Sequence, residues 1–107
     1  MTTQLLSRPT RTGTRPWPLE LDAEVAPSTR TVSARQAQAL AELLGRIEGV
    51  QRATADPHCG GRFVLVRITV MATDLADAAD RACAFLHSSA IAAGLSPLVL
   101  VAARFAR

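Results

Sequence analysis

A strict alternation of side chains along residues 62–72 limits the folds open to this chain more than any other feature. The even positions are all β-branched and apolar: Val64, Val66, Ile68 and Val70. Successive side chains of a β-strand point to opposite faces, so these four residues lie on one face. The segment therefore predicts a strand that buries one face against a second layer.

Two other segments have the period of an amphipathic helix. A helix is predicted over residues 34–48, because its leucines recur at positions three and four apart. Ser33, with Gln36 three residues later, has the spacing of a capping box. A second helix is predicted over residues 75–93, where Asp74 can cap the first turn.

Three further strands are predicted. Residues 19–25 alternate between apolar and acidic positions, and residues 50–55 form a short strand that ends at the turn signal Asp56-Pro57. Residues 98–105 are apolar without alternation, which is typical of a strand covered on both faces.

The order strand-helix-strand-strand-helix-strand predicts an α+β fold, a four-stranded antiparallel sheet with two helices on one face. Strands one and three would be central, and strands two and four would be the edges. The step Arg46-Ile47-Glu48-Gly49-Val50, from helix one into strand two, resembles that of small ferredoxin-like modules such as ACT domains. This fold-level resemblance over residues 19–105 implies a ferredoxin-like βαββαβ sandwich, an architecture that hosts many unrelated functions.

The positive charge of the chain is concentrated at its start. The net charge is +3, with twelve arginines and no lysine, and the pI is near 10.1. Arg8, Arg11 and Arg15 lie within residues 1–18, which contain no acid, so residues 19–107 are balanced. We expect a flexible, proline-containing basic tail followed by one domain. The tail is either passive or a contact for nucleic acid or an acidic partner.

Helices on one side leave the other face of the sheet open, and apolar side chains there are typical of an interface. The candidate interface consists of side chains from strands one and three: Glu20, Asp22, Phe63, Leu65, Arg67 and Met71. Arg67 can pair with an acid of strand one. We expect a non-catalytic regulatory or accessory module that self-associates here, as a homodimer. A different protein partner, or coverage by the tail with Trp17 as its anchor, are the other interpretations.

The loop before helix one offers a second function. Thr29, Arg30 and Ser33 could bind an anion at the helix N-terminus, although an ordinary capped loop is the preferred interpretation. Acylphosphatases share this architecture, but their glycine-rich loop with its arginine is not reproduced here. A small anion-binding protein or enzyme is therefore the alternative function.

No metal or cofactor is predicted. His58, Cys59, Cys83 and His87 are zinc-ligand types, but the turn that holds His58 should lie nearer helix one than helix two, which carries Cys83 and His87. Two cysteines are too few for a disulfide framework, and no apolar run is long enough to span a membrane, so we expect a cytoplasmic protein. RNA binding on the sheet is not expected, because strand one is acidic and strand three has one aromatic residue.

Overall fold

The described part of the chain folds into one antiparallel sheet with two helices. The computed structural model describes residues 13–25, 31–95 and 98–106. The elements are β1 (Arg15–Val25), α1 (Ala34–Gly45), β2 (Val50–His58), a 3-10 turn (Cys59–Gly61), β3 (Phe63–Ala72), α2 (Leu75–Ala92) and β4 (Leu98–Phe105). The strand order is β2-β3-β1-β4. The predicted α+β fold, its antiparallel sheet and its central pair are thus confirmed.

The core lies between the helices and one face of the sheet. Leu21 of β1 and Val66 of β3 are fully buried, and Leu40 and Leu44 of α1 belong to the same cluster. The side chains that α2 buries are Ala78, Ala82, Leu86, Ser89 and Ala90. Most of these are small, so helix and sheet can approach closely. Each fully buried leucine stabilises the fold by about 1.5–3 kcal/mol relative to an exposed one.

The predicted helix caps are present. The Ser33 hydroxyl accepts from the Gln36 amide at 3.1 Å, and the Gln36 side chain accepts from the Ser33 amide at 2.9 Å. The Asp74 carboxylate accepts from the amide of Asp77 at 2.8 Å. Helix α1 ends at Gly45, three residues before the predicted end, and Gly49, with φ of 95°, forms the turn into β2.

Strand β1 begins at Arg15, so the predicted start at residue 19 was wrong by four residues. Pro16 and Pro18 suggested an irregular tail, yet they pair with Met71 and Thr69 of β3. The carbonyl of Pro18 accepts from the amide of Ala106, on the side of β1 that faces β4. The side of β1 on which the prolines lack an N–H group therefore faces away from β3. The ladder between β1 and β3 needs no donor there, so the sheet tolerates both prolines.

The two edge strands also differ from their predictions. Strand β2 continues through Asp56 and Pro57 to His58 rather than turning there, because an edge strand can accommodate a proline. The prediction that β4 is covered on both faces was wrong. Val99 and Val101 are 52% and 55% exposed, since no element packs on that side within the described ranges.

The turn between β2 and β3 is fixed to the segment before α1. The amide of Val32 donates to the carbonyl of Gly61 at 2.8 Å. Gly61 has φ of 88°, and a Cβ there would lie 2.8 Å from the Val32 carbonyl oxygen, so only glycine fits. This turn lies beside the start of α1, as predicted.

Candidate functional site on the open face of the sheet

The open face is the side of the sheet opposite the helices. The register places its side chains in rows across the strands. At the end nearest the β2–β3 turn, the first row is His58, Phe63, Glu24 and Val99. The second row is Asp56, Leu65, Asp22 and Ala102, and the third is Thr54, Arg67, Glu20 and Arg104. Arg52, Thr69 and Pro18 form the fourth. The candidate interface residues therefore share one surface.

Every carboxylate that β1 places on the open face has an arginine or histidine side chain beside it. Glu20 lies between two arginines, with Nε of Arg67 at 3.2 Å and Nε of Arg104 at 3.1 Å. Asp22 pairs with the His58 ring, and Glu24 pairs more loosely with Arg62, at 3.9 Å. The predicted contact between Arg67 and an acid of β1 is confirmed. Because β1 is central, the side chains of Glu20 and Asp22 are only 24% exposed, and an unpaired charge there would be costly.

The two ends of the open face carry opposite charge. The turn end, comprising the first two rows and Arg62, has three carboxylates (Asp22, Glu24 and Asp56) against the one guanidinium of Arg62. The far end, comprising the third and fourth rows, has the guanidiniums of Arg52, Arg67 and Arg104 against the one carboxylate of Glu20. The face is thus acidic at one end and basic at the other.

Apolar side chains separate these charges. Phe63 and Leu65 are half-buried in the middle of the turn end, and Val99 and Val101 are exposed on β4, which β1 separates from them. Met71 is half-buried beyond the far end, where its sulfur accepts from the Gln51 amide at 3.3 Å. The predicted apolar surface is therefore interrupted by ion pairs and extends onto β4.

A chain of three polar side chains crosses the turn end. Nε2 of His58 lies 3.1 Å from Oδ1 of Asp22, and Nδ1 of His58 lies 3.5 Å from Sγ of Cys59. The ring of Phe63 supports the imidazole, with 5.4 Å between ring centroids. The sequence pattern did not reveal this group, because Asp22 lies 36 residues before His58. Only the pairing of β1 with β3 and of β3 with β2 brings them together.

Two depressions lie near this surface. One, of about 330 Å³, is at the far end, and its lining includes Arg52, Thr54, Arg67 and Thr69. The other, of about 400 Å³, lies between α1 and the β2 edge, and its lining includes Glu42 and Asp56. Neither includes Cys59.

The remaining predicted site residues lie elsewhere. Trp17 points to the helix side of the sheet, so the interpretation that it anchors a segment on the open face was wrong. Its Nε1–H donates to the Ala72 carbonyl at 3.1 Å, and its ring meets that of Phe105 edge to face. Arg15 belongs to β1 rather than a tail, with its guanidinium 4.3 Å from the Trp17 ring centroid.

The predicted anion loop and basic tail lie largely outside the described residues. Thr29, Arg30, Arg8 and Arg11 belong to the undescribed parts of the chain. The Ser33 hydroxyl is engaged in the helix cap.

The zinc-ligand residue types are dispersed. Cys83 and His87 are exposed on α2, away from the turn that holds His58 and Cys59. Within the described ranges, no group of three or more His, Cys, Asp or Glu side chains is arranged to hold a metal ion. Neither helix, as far as the chain is described, combines the length and apolarity needed to cross a membrane.

Comparison of the chain with protein-family models, with curated proteins and with solved structures finds no match in any of the three. A functional interpretation must therefore start from the residues of this chain.

Proposed function

We propose that this chain is a non-catalytic association module whose open face packs against the open face of a second copy. The observation that carries the proposal is the division of charge between the two ends of that face. A module of this kind serves as a regulatory or accessory subunit.

The geometry of such a dimer follows from symmetry. Two identical faces pack on each other about a two-fold axis that lies in the plane of contact. If this axis is perpendicular to the strands, the acidic turn end of one copy covers the basic far end of the other. If it is parallel to the strands, each end covers its own like-charged counterpart. Charge complementarity selects the first arrangement.

The apolar side chains supply the attraction that ion pairs alone do not. Val99 and Val101 of β4 are more than half exposed, and Phe63 and Leu65 lie on β3, on the other side of β1. The face spans roughly 20 by 25 Å, from strand spacing and rise, so the contact buries on the order of 1,000 Å² in total. Because this is at the lower end for specific interfaces, we expect a dissociation constant in the micromolar range.

Molar mass in solution, measured from micromolar to near-millimolar concentration, tests the proposal. Phe63→Asp places an unpaired charge in the contact and should give a monomer throughout. Ile91→Asp is the matched control, since Ile91 is an exposed apolar residue of α2, remote from the open face. A wild-type chain that stays monomeric at every concentration contradicts self-association and leaves a different protein as the partner.

A charge-swap experiment tests the charge complementarity from which this arrangement follows. Arg52→Glu with Arg104→Glu makes the whole face acidic, whereas Glu24→Arg with Asp56→Arg makes it basic. Each double variant should lose self-association, and an equimolar mixture should recover it as a heterodimer. If the mixture stays monomeric while the wild type dimerises, the proposed arrangement is wrong. The recovered association should weaken as salt is added.

A further inference from the structure

The turn between β2 and β3 carries an exposed thiol beside an oriented imidazole. Sγ of Cys59 lies 3.5 Å from Nδ1 of His58, and Nε2 of the same ring lies 3.1 Å from Oδ1 of Asp22. A nucleophile, a base within hydrogen-bond reach and a third group that orients the base are the parts of an activated nucleophile.

The contact with Asp22 determines which ring nitrogen is free. A carboxylate only accepts hydrogen bonds, so the Asp22 side chain requires the proton of neutral His58 on Nε2. Nδ1 then carries a lone pair and faces the thiol of Cys59. The imidazole can take the thiol proton there, and Asp22 stabilises the imidazolium that results.

The backbone holds the thiol at the surface. Cys59 has φ of 55°, and among the described residues no other non-glycine residue has a positive φ. The Cys59 carbonyl accepts from the Arg62 amide at 3.3 Å, and Gly61 is bound to Val32. Cys59 is exposed, so its thiol is accessible to a small reactant in solution.

We propose that Cys59 is a reactive thiol that exchanges with the disulfides of low-molecular-weight thiols. The proton of Sγ passes to Nδ1 of His58, and the thiolate attacks one sulfur of the disulfide. A bond forms between Sγ and that sulfur as the original S–S bond breaks. The other sulfur leaves as a thiolate and takes up the proton. Cys59 is oxidised to a mixed disulfide and one molecule of the small thiol is released. This proposal does not depend on self-association.

The other charged groups at this end of the sheet define the control variants. Glu24 of β1 and Arg62 after the turn form a pair, and Asp56 lies on β2 in the row next to His58. Their charges remain when Asp22 or His58 is replaced, so Asp56→Asn serves as a control for lost negative charge near the thiol.

The chain contains its own reference thiol. Cys83 is also exposed, but no hydrogen bond to an imidazole is present at its Sγ in the described part of the chain. Cys83→Ser leaves Cys59 as the reporting thiol, and Cys59→Ser leaves Cys83. Each dilute, freshly reduced variant is reacted with 5,5′-dithiobis(2-nitrobenzoate), and the release of thionitrobenzoate gives the rate. Oxidised glutathione followed by peptide mass analysis then locates the adduct in the wild type.

At pH 7 we expect Cys59 to react roughly tenfold faster than Cys83, because the imidazole beside it can accept the thiol proton as Sγ attacks. His58→Asn, in the Cys83→Ser background, should bring the rate down to that of Cys83, and Asp22→Asn should give an intermediate rate. Asp56→Asn should leave it unchanged. Above pH 10 an ordinary thiol is ionised, so the effect of His58→Asn should disappear.

Two results overturn the proposal. One is equal reactivity of the two thiols at pH 7. The other is a faster Cys59 whose advantage survives His58→Asn, since the difference then reflects access alone. Thermal unfolding of each variant, with an unchanged midpoint, confirms that the rates compare folded proteins.

Discussion

The two faces of the sheet satisfy their side chains in different ways. On the helix side, Leu21, Val64 and Val66 are fully buried against other apolar residues. On the open face, the half-buried carboxylates of β1 each meet an arginine or histidine side chain, and apolar side chains lie between the pairs. The apolar side chains on the helix side need only fill the space between the sheet and the helices. Each charged side chain on the open face needs a particular polar side chain beside it. Stability should therefore depend on the first face, and association on the second.

The largest difference is expected between two leucines, one from each region. Leu44 of α1 has no exposed surface, and Leu44→Ala should lower the free energy of unfolding by about 2–5 kcal/mol through lost burial and a cavity. Leu65 is half-buried on the open face, and Leu65→Ala should cost about 1 kcal/mol, since its site can fill with water.

Denaturant unfolding at low protein concentration measures both values, with association excluded. A cost at Leu65 equal to that at Leu44 would mean that the open face contributes to the core of the monomer. The contrast between the two faces would then fail.

The helix side could be predicted from the sequence because its pattern is local. The alternation in β3 and the leucine spacing in α1 each assign residues to a buried face without knowledge of the rest of the chain. The predicted bounds of β4 agree with those observed, and the Ser33 cap is present. Apolar periodicity carries this information within a few residues.

The open face could be predicted only in part, because its contacts join distant segments. Arg67 and Glu20 are 47 residues apart, and Arg104 and Glu20 are 84 apart, so the pairs depend on register. The bulge between Asp22 and Ala23 in the pairing of β1 with β4 shifts that register and is not visible in the sequence. The prolines of β1 misled for a similar reason: they are tolerated because their missing N–H groups face away from β3 and the paired residues of β4 begin only opposite Leu19, which is a property of topology.

A smaller effect is expected when the centre of an ion-pair group is neutralised. Glu20→Gln leaves Arg67 and Arg104 without their shared carboxylate, and we expect a loss of about 1 kcal/mol, because exposed pairs contribute about 0.2–1 kcal/mol each. Glu48→Gln is the control, since Glu48 is exposed and forms no ion pair within the described residues.

Unfolding in low and high salt measures the difference between these variants. The cost of Glu20→Gln should shrink as salt screens the pairs. A loss that is large and independent of salt would show that Glu20 acts through packing, and the open face would then resemble the helix side more than its charges suggest.

The smallest effect is expected at a carboxylate on neither face, which gives a reference for local ion pairs. The Thr73 amide donates to Asp77 at 3.0 Å and Arg81 lies beside it, and together they lower the pKa of Asp77 below its ordinary 3.8. A lowered folded-state pKa stabilises the fold above the ordinary value, and this contribution is lost as the pH falls through the folded-state pKa. Asp77→Asn should therefore be slightly less stable than wild type at neutral pH, and the gap should close below about pH 4. Asp80→Asn is the control, because Asp80 lies on the same helix and has no such contacts in the described chain. Its difference in stability from the wild type should be smaller across this pH range. An equal difference would assign the effect of Asp77 to the helix dipole.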